Sequence, residues 1–531
     1  MTELSRRQLV AAGFSGLLLI LSFPRPQFPL LAWFALVPLL LAVTTASPRR
    51  AFLLGWITGI TFFTGSLRWI AYTMVHYGHL LEWLSYLVLL LLTAYLALYV
   101  GLFAWTARVL LDQPTWIRLS ALPAAWTALE FARTYLLTGF PWAVLGYSQA
   151  GTLPVIQIAE LTGVYGVSYV IVLVNAALAV ALTAPRPAGE MPLPIPVASF
   201  VPVAPPSVPR RSLAALLTAA LTLTVVLVYG HWRLDHLSRA DAAIEPLRVA
   251  VVQGNVDQDR KWDPAFLRAT IDRYHALTRE QTTAPLDLVV WPEAAMPFFF
   301  ERDAAYREEL LAFVAETKTP LLFGSPAIDQ RGGRAPRLYN SAYLVTETGE
   351  AAGRYDKVHL VPFGEYVPLE RLLVFVNKMV DGIGEFAPGN DVTVFSLERF
   401  RLGVMICYEV VFPDLTRRAV RNGATVIAAI TNDAWFGDSA APYQHLDMVA
   451  LRAVENRVPF ARAANTGVSG FIAATGRVSA ATDLFVPASR ANPLAPRAET
   501  TWYTRSGDAF AWACAAFTVV SLARATRRRR P

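Results

Sequence analysis

Apolar runs recur along the first 230 residues at short intervals, divided by prolines, glycines and paired arginines. A helix crossing a bilayer core needs about 20 predominantly apolar residues. The pattern predicts spans at 9–23, 28–45, 51–73, 83–107, 117–137, 162–184 and 212–230, and an eighth at 507–525. The first two are short and interrupted by "FPRPQFP", which predicts either a tight hairpin or an incomplete crossing. No small-residue cleavage site follows residues 1–23, so they read as part of the membrane region rather than as a signal peptide.

Between about 245 and 495 the pattern changes. Charges return, and short β-rich runs alternate with helical ones. "LRVAVVQGN", "LDLVVWPEA", "PLLFGSPAI", "SAYLVTE", "FRLGVMICYE", "TVIAAITND" and "PFARAANTG" predict strands, with helices at 263–282, 302–317, 413–422 and 441–457. This alternation predicts an α/β domain whose reactive residues sit where strands end. The expected organisation is a transmembrane domain of seven helices at 1–235, a catalytic domain at 245–495, and an eighth helix with a basic tail at 505–531. The proline-rich stretch 185–209 has no periodicity and reads as a flexible cytoplasmic loop.

Composition agrees with a membrane protein carrying a soluble part: 54% of residues are hydrophobic and only 16% charged. A net charge of +7 raises the question of nucleic acid, but Arg6, Arg7, Arg49, Arg50, Arg210, Arg211 and Arg527 to Arg530 flank apolar runs and read as topology signals. No nucleic-acid partner is expected. The arginine alternation puts both termini inside and the α/β domain outside. With two cysteines, Cys407 and Cys514, neither a disulfide framework nor a cysteine zinc site is expected.

Three residues of the α/β part carry candidate chemistry. Glu293 follows a strand-like run in "VVWPEAA" and is either solvated or a base held in a pocket. Lys357 stands among apolar and aromatic residues in "RYDKVHLVPFGEY", although a surface lysine is the alternative. Cys407, in "GVMICYEVV", is either a small buried hydrophobe or a nucleophile. A nucleophilic thiol needs a base or a nearby cation, which Glu293 and Lys357 can supply. Lys357 and the Tyr408 backbone N–H can then stabilise the oxyanion of an attacked carbonyl. His359 and His445 are rival partners for Cys407, without a distinctive context.

In this order, "WPE" (291–293), "YDKVHLVPFGEY" (355–366), "CYE" (407–409) and "TNDAWFG" (431–437) resemble the nitrilase, or carbon-nitrogen hydrolase, superfamily. With the preceding helices and "GFPWAVLGYSQ" (139–149), nearly the whole chain is similar to the membrane branch of that superfamily, the bacterial apolipoprotein N-acyltransferases. The resemblance implies eight transmembrane helices plus an α-β-β-α sandwich. It implies Glu293 as general base, Lys357 as oxyanion stabiliser and Cys407 as nucleophile, with Glu365 and Glu409 as supporting carboxylates that orient the lysine. It further implies no metal or other cofactor, a phospholipid acyl donor, typically phosphatidylethanolamine, and a diacylated apolipoprotein acceptor. The expected location is the bacterial inner membrane, with the catalytic domain on the periplasmic side.

Asn432, Trp435 and Phe436 are expected to line the acyl pocket, with plain core as the alternative for the aromatic pair. Phe375 belongs to 367–390, read either as a buried helix and turn or as a mobile lid with an apolar tip. "RAANTG" (462–467) is expected at the pocket edge. Two rival classes are a membrane-tethered amidase hydrolysing a small amide and a transporter or scaffold with an inactive hydrolase domain. Few ionisable residues lie in the spans, which argues against the transporter.

Overall fold

The computed structural model describes residues 4–183, 209–329, 336–366 and 386–527. Most of the proline-rich stretch 185–209, most of the 367–390 segment with Phe375, and Arg528 to Arg530 lie outside them.

Among the described residues, ten helices form the N-terminal half: α1 (Arg6–Leu21), α2 (Val37–Val43), α3 (Pro48–Ser66), α4 (Trp69–His76), α5 (Glu82–Val109), α6 (Thr115–Tyr135), α7 (Leu153–Ile156), α8 (Ala159–Thr162), α9 (Val164–Thr183) and α10 (Arg210–Ala242). Among the described residues, α5, α9, α10 and the C-terminal helix Ala509–Arg527 are long and apolar enough to cross a membrane. On three of these, large apolar side chains such as Leu91, Leu221 and Val519 stay exposed, as a lipid-facing surface requires. Small residues bring α3 against α5: a Cβ on Gly55 would stand 2.4 Å from the Val100 carbonyl oxygen.

Two predicted spans are broken. Residues 28–45 divide into a 3-10 turn at Pro29–Trp33 and the short α2. Residues 51–73 divide into α3 and α4, because Leu67 leaves the helical region and α4 is tied to the other half of the molecule. The Thr73 hydroxyl donates to the Trp435 carbonyl at 2.8 Å, and the Tyr77 hydroxyl to that of Ala434 at 3.1 Å. The segment at 117–137 is continuous as α6 but carries Pro123, Glu130 and Arg133.

The α/β half begins with β1 (Leu247–Gln253), α11 (Pro264–Arg279), β2 (Leu288–Val290), α12 (Ala304–Thr317), β3 (Leu321–Asp329), β4 (Arg337–Val345) and β5 (Ala351–Asp356). It continues with β6 (Val394–Ser396), β7 (Arg401–Ile406), α13 (Pro413–Arg421), β8 (Val426–Thr431), α14 (Ala441–Asn456), β9 (Phe460–Ala464), β10 (Gly470–Ile472), β11 (Val478–Ser479) and β12 (Ala488–Leu494). The chain ends in α15 (Trp502–Ser506) and α16 (Ala509–Arg527). All seven predicted strands and four predicted helices of this half are present. Short or half-exposed strands such as β5, β6 and β11 gave no comparable apolar run.

One sheet has the order β12-β1-β2-β3-β4-β5 and the other β11-β10-β9-β8-β7-β6. In each, the three central strands include two parallel pairs: β1–β2 and β2–β3, then β7–β8 and β8–β9. The twofold alternation of strand side chains makes four layers. Val249, Val251 and Val290 of the first sheet meet Val404, Ile406 and Ile430 of the second. On the outer face of the first sheet, Ala250, Val252 and Phe323 pack on Tyr274 of α11 and Phe313 of α12. Outside the second, Ile427 and Ala429 join a core that includes α13, α14 and the helices of the N-terminal half. The result is a nitrilase-like α-β-β-α sandwich whose second helical layer packs directly against the N-terminal half.

Candidate active site

Strand ends place the three candidate residues together. Glu293 lies three residues beyond β2, Lys357 directly after β5 and Cys407 directly after β7. The turn that carries Glu293 passes so close to β3 that a Cβ on Gly324 would stand 2.4 Å from the Ala294 nitrogen and 2.8 Å from the Glu293 Cα. Only glycine fits there. Cys407 adopts φ +52°, a left-handed conformation rare for a residue with a side chain, and opens a 3-10 turn over Cys407–Val411. Ending a strand this way turns the thiol out of the sheet, and the residue is half-buried.

Lys357 is 1% exposed, so its charge must be satisfied within the protein. Its Nζ donates to Glu365 Oε1 at 2.9 Å and lies 3.5 Å from Glu293 Oε1. Burial acts to lower the ammonium pKa, but the two carboxylates outweigh it and hold the group above its ordinary value. Asn340 on β4 donates to Glu293 Oε1 at 2.7 Å and to Glu365 Oε1 at 2.9 Å, bridging the carboxylates on either side of the lysine. Glu293 Oε2 accepts from the Asn432 backbone N–H at 2.8 Å. Both Glu293 oxygens are therefore held, which fixes the carboxylate's orientation.

Burial pushes the Cys407 thiol up, and the Glu293 charge adds to this, while Lys357 draws it down. A resting thiol beside a carboxylate, with a cation at hand, is the arrangement that general-base activation of a sulfur requires.

The supporting carboxylates divide their work. Glu365 touches the lysine itself and accepts from the Val361 N–H at 2.7 Å. Glu409 does not touch the lysine. One of its oxygens accepts from the Tyr355 hydroxyl at 2.7 Å and from the Val358 and His359 N–H groups at 2.6 and 3.3 Å; the other accepts from the Ile406 N–H at 2.7 Å. It thereby ties the backbone on either side of Lys357 to the residue before Cys407. Burial pushes its pKa up to about 7, against these hydrogen bonds and the lysine charge.

Asn432 reaches the site itself: besides holding Glu293, its amide donates to Gln258 Oε1 at 2.6 Å and accepts from Asn465 at 3.1 Å. Asn465 is in "RAANTG", so that segment reaches the site through Asn432. Trp435 and Phe436 are half-buried at the joint between the two halves, with ring centroids 4.9 Å from Tyr77 and 4.7 Å from Trp69. The Tyr408 ring packs on Phe412 at 5.2 Å, and its hydroxyl points to the Gly139 carbonyl at 3.5 Å.

That carbonyl begins the 139–149 loop. Arg133 donates to the Phe140 and Trp142 carbonyls at 3.1 and 2.5 Å, and Glu130 accepts from the Leu145 N–H at 2.7 Å. Trp142 then donates to Gln444 on α14 at 2.7 Å. The charged residues of α6 thus shape a loop that meets the α/β half beside Cys407.

Asn340 and Lys261 had no distinguishing sequence signal. Lys261 is buried and donates to the Glu293 carbonyl at 3.2 Å, and burial lowers its pKa to about 8. Of the rival histidines, His359 packs at a tilt against Phe412 with ring centroids 3.8 Å apart, and its pKa falls to about 4 through burial and Lys357. His445 faces the Cys407 backbone carbonyl at 3.2 Å.

Residues 248–486, the α-β-β-α sandwich, match the family model described as Carbon-nitrogen hydrolase. Residues 15–177 match a second, Apolipoprotein N-acyltransferase N-terminal domain. The apolipoprotein N-acyltransferase of Geobacter metallireducens is 44% identical over 525 residues, covering 99% of this chain and 96% of that one. The apolipoprotein N-acyltransferase of Azotobacter vinelandii is 34% identical, covering 99% and 97%. The chain belongs to the apolipoprotein N-acyltransferase family. An amidase from Nesterenkonia sp. matches 50% of this chain and 92% of its own at 22% identity and a TM-score of 0.36, a likeness too slight to bear on activity.

Proposed function

We propose that this protein transfers a fatty acyl chain from a phospholipid to the N-terminal amine of diacylglyceryl-cysteine apolipoproteins, by way of a thioester on Cys407. The observation that carries the reading is the buried Lys357 ammonium, 3.5 Å from Glu293, at the strand ends that also present Cys407. Family membership over the whole chain supports the substrates.

In the first half-reaction Glu293 takes the thiol proton as Sγ bonds to the ester carbonyl carbon. Lys357, with the Tyr408 N–H, stabilises the oxyanion. When the oxyanion collapses, the ester C–O bond breaks and the departing lysophospholipid oxygen receives the proton from Glu293. In the second half-reaction the lipoprotein amine attacks the thioester, Glu293 takes one of its protons, and the C–S bond breaks to restore the thiol and leave an amide. This is a ping-pong cycle. Trp435 and Phe436 wall the acyl path, and phosphatidylethanolamine is the donor.

Eight spans in the bacterial inner membrane carry the enzyme. Residues 1–235 and 505–531 form the membrane part, and 245–495 stands on the periplasmic side with both termini inside. Paired arginines at the ends of the apolar runs support this orientation. The four helices long and apolar enough to cross, together with the apolar α3 and α6, supply most of the spans.

Two experiments test the proposal. Protein incubated with phosphatidylethanolamine and a diacylated lipopeptide is expected to yield triacylated peptide and lysophospholipid in equal amounts; free fatty acid with unmodified peptide would mean hydrolysis and overturn the transferase reading. For orientation, Thr348→Cys, in the exposed turn between β4 and β5, is expected to react with a membrane-impermeant maleimide in intact spheroplasts. Labelling at residue 348 only after lysis would invert the topology.

A further inference from the structure

His445 on α14 is not assigned a part in the cycle above, yet all of its ring nitrogens are engaged. Nε2 lies 3.2 Å from the Cys407 carbonyl oxygen. Nδ1 lies 3.1 Å from an Arg462 guanidinium nitrogen and 3.2 Å from Asp433 Oδ1. A carbonyl oxygen can only accept, so Nε2 must carry a proton, and in the neutral ring Nδ1 then holds a lone pair for the Arg462 guanidinium, which can only donate. Asp433 accepts from Arg462 at 2.7 Å and from the Thr431 hydroxyl at 2.8 Å, which anchors the guanidinium beside Nδ1. Burial and the Arg462 charge also push the imidazole below its ordinary value despite Asp433, which agrees with a neutral ring.

What the ring holds is the strained residue. Cys407 sits at φ +52°, and such a backbone persists only where its surroundings over-determine it. On one side Glu409 accepts from the Ile406 N–H at 2.7 Å. On the other, the only side chain donating to the Cys407 carbonyl among the described residues is His445. The Trp142 ring lies 5.9 Å from the imidazole, so the loop from the N-terminal half closes the remaining face.

We infer that His445 is a positioning residue for acyl transfer: its Nε2–H fastens the Cys407 carbonyl, fixing the left-handed turn that aims the thiol toward Glu293 and Lys357, while Arg462 and Asp433 hold the ring in the required tautomer. The inference rests on the reading of Cys407 as nucleophile. It makes a distinction that bulk packing does not, because a glutamine side chain can bring an N–H to nearly the place of Nε2, whereas asparagine is too short.

The test compares His445→Gln, His445→Asn and His445→Leu with the parent and with Cys407→Ala, in detergent micelles containing phosphatidylethanolamine. Single-turnover formation of the acyl-enzyme is followed by intact-protein mass. A displacement of about 1 Å at a reacting atom costs on the order of 10²-fold. The maximal acylation rate is therefore expected to fall about tenfold to a hundredfold in the asparagine and leucine variants, with the donor concentration for half-saturation unchanged and most of the rate regained in the glutamine variant. If the leucine variant fails to fold, the asparagine and glutamine pair decides, since both place the same amide in the same cavity. Equal rates for that pair, or a loss confined to half-saturation, overturn the inference. If Cys407→Ala is inert while all folded His445 variants match the parent, only this inference falls; if Cys407→Ala still forms an acyl-enzyme, the functional reading falls with it.

Discussion

Cys407→Ala is expected to abolish lysophospholipid release and lipopeptide acylation together, and intact-protein mass after exposure to phospholipid is expected to show no acyl addition. Removing the sulfur removes the proposed acyl carrier between the two substrates, so no partial cycle is expected to survive. Cys514 is the matched control. It is buried in α16, away from the strand ends that carry the candidate site. Cys514→Ala is expected to keep nearly full activity. In the parent, the acyl mass is expected on the peptide containing Cys407; comparable activity in Cys407→Ala would refute the thioester mechanism.

Glu293→Gln and Lys357→Met are both expected to be slow, and their pH responses are expected to separate their roles. Losing a general base costs about 10²- to 10⁴-fold, and losing one oxyanion stabiliser about 10²- to 10³-fold. The signs follow from what acts on the thiol. Burial and the Glu293 charge raise its pKa, and Lys357 lowers it. Glutamine at 293 removes the base but also a negative neighbour, so the thiol ionises more readily as pH rises and acylation recovers in part. Methionine at 357 removes the cation that favours the thiolate, so the thiol moves further up and the same rise in pH returns less. Single-turnover acyl-enzyme formation against pH measures both; recovery in the methionine variant without recovery in the glutamine variant would reverse the two assignments.

How much of this was legible in sequence depended on the range of the physics involved. The strands of the sandwich core are short apolar runs bounded by turn residues, and α11 to α14 repeat their apolar faces with helical period. Those signals are local. Broken spans were less legible, because the break at Leu67 reflects contacts that α4 makes more than 350 positions away: Thr73 to Trp435 and Tyr77 to Ala434. Hydrophobicity alone does not register a hydrogen bond to a distant carbonyl. Similarly, "GFPWAVLGYSQ" (139–149) stood out in the sequence, but that Glu130 and Arg133 of α6 hold this loop was visible only after folding.

The sequence by itself determined the membrane-seated α/β architecture, the family resemblance and the identities of Glu293, Lys357 and Cys407 as candidates, since apolar period, turn residues and reactive residue types are written along the chain. Tertiary structure alone decided what surrounds them. Asn340 reaches Glu293 across 47 positions, Glu409 reaches the Tyr355 hydroxyl across 54, and His445 reaches the Cys407 carbonyl across 38. The two sheets and α14 bring the members of each pair to 2.7, 2.7 and 3.2 Å, and side-chain hydrogen bonds act only at such distances. The orientation of the lysine, the carboxylate and the strained cysteine turn are therefore properties of the packed sandwich.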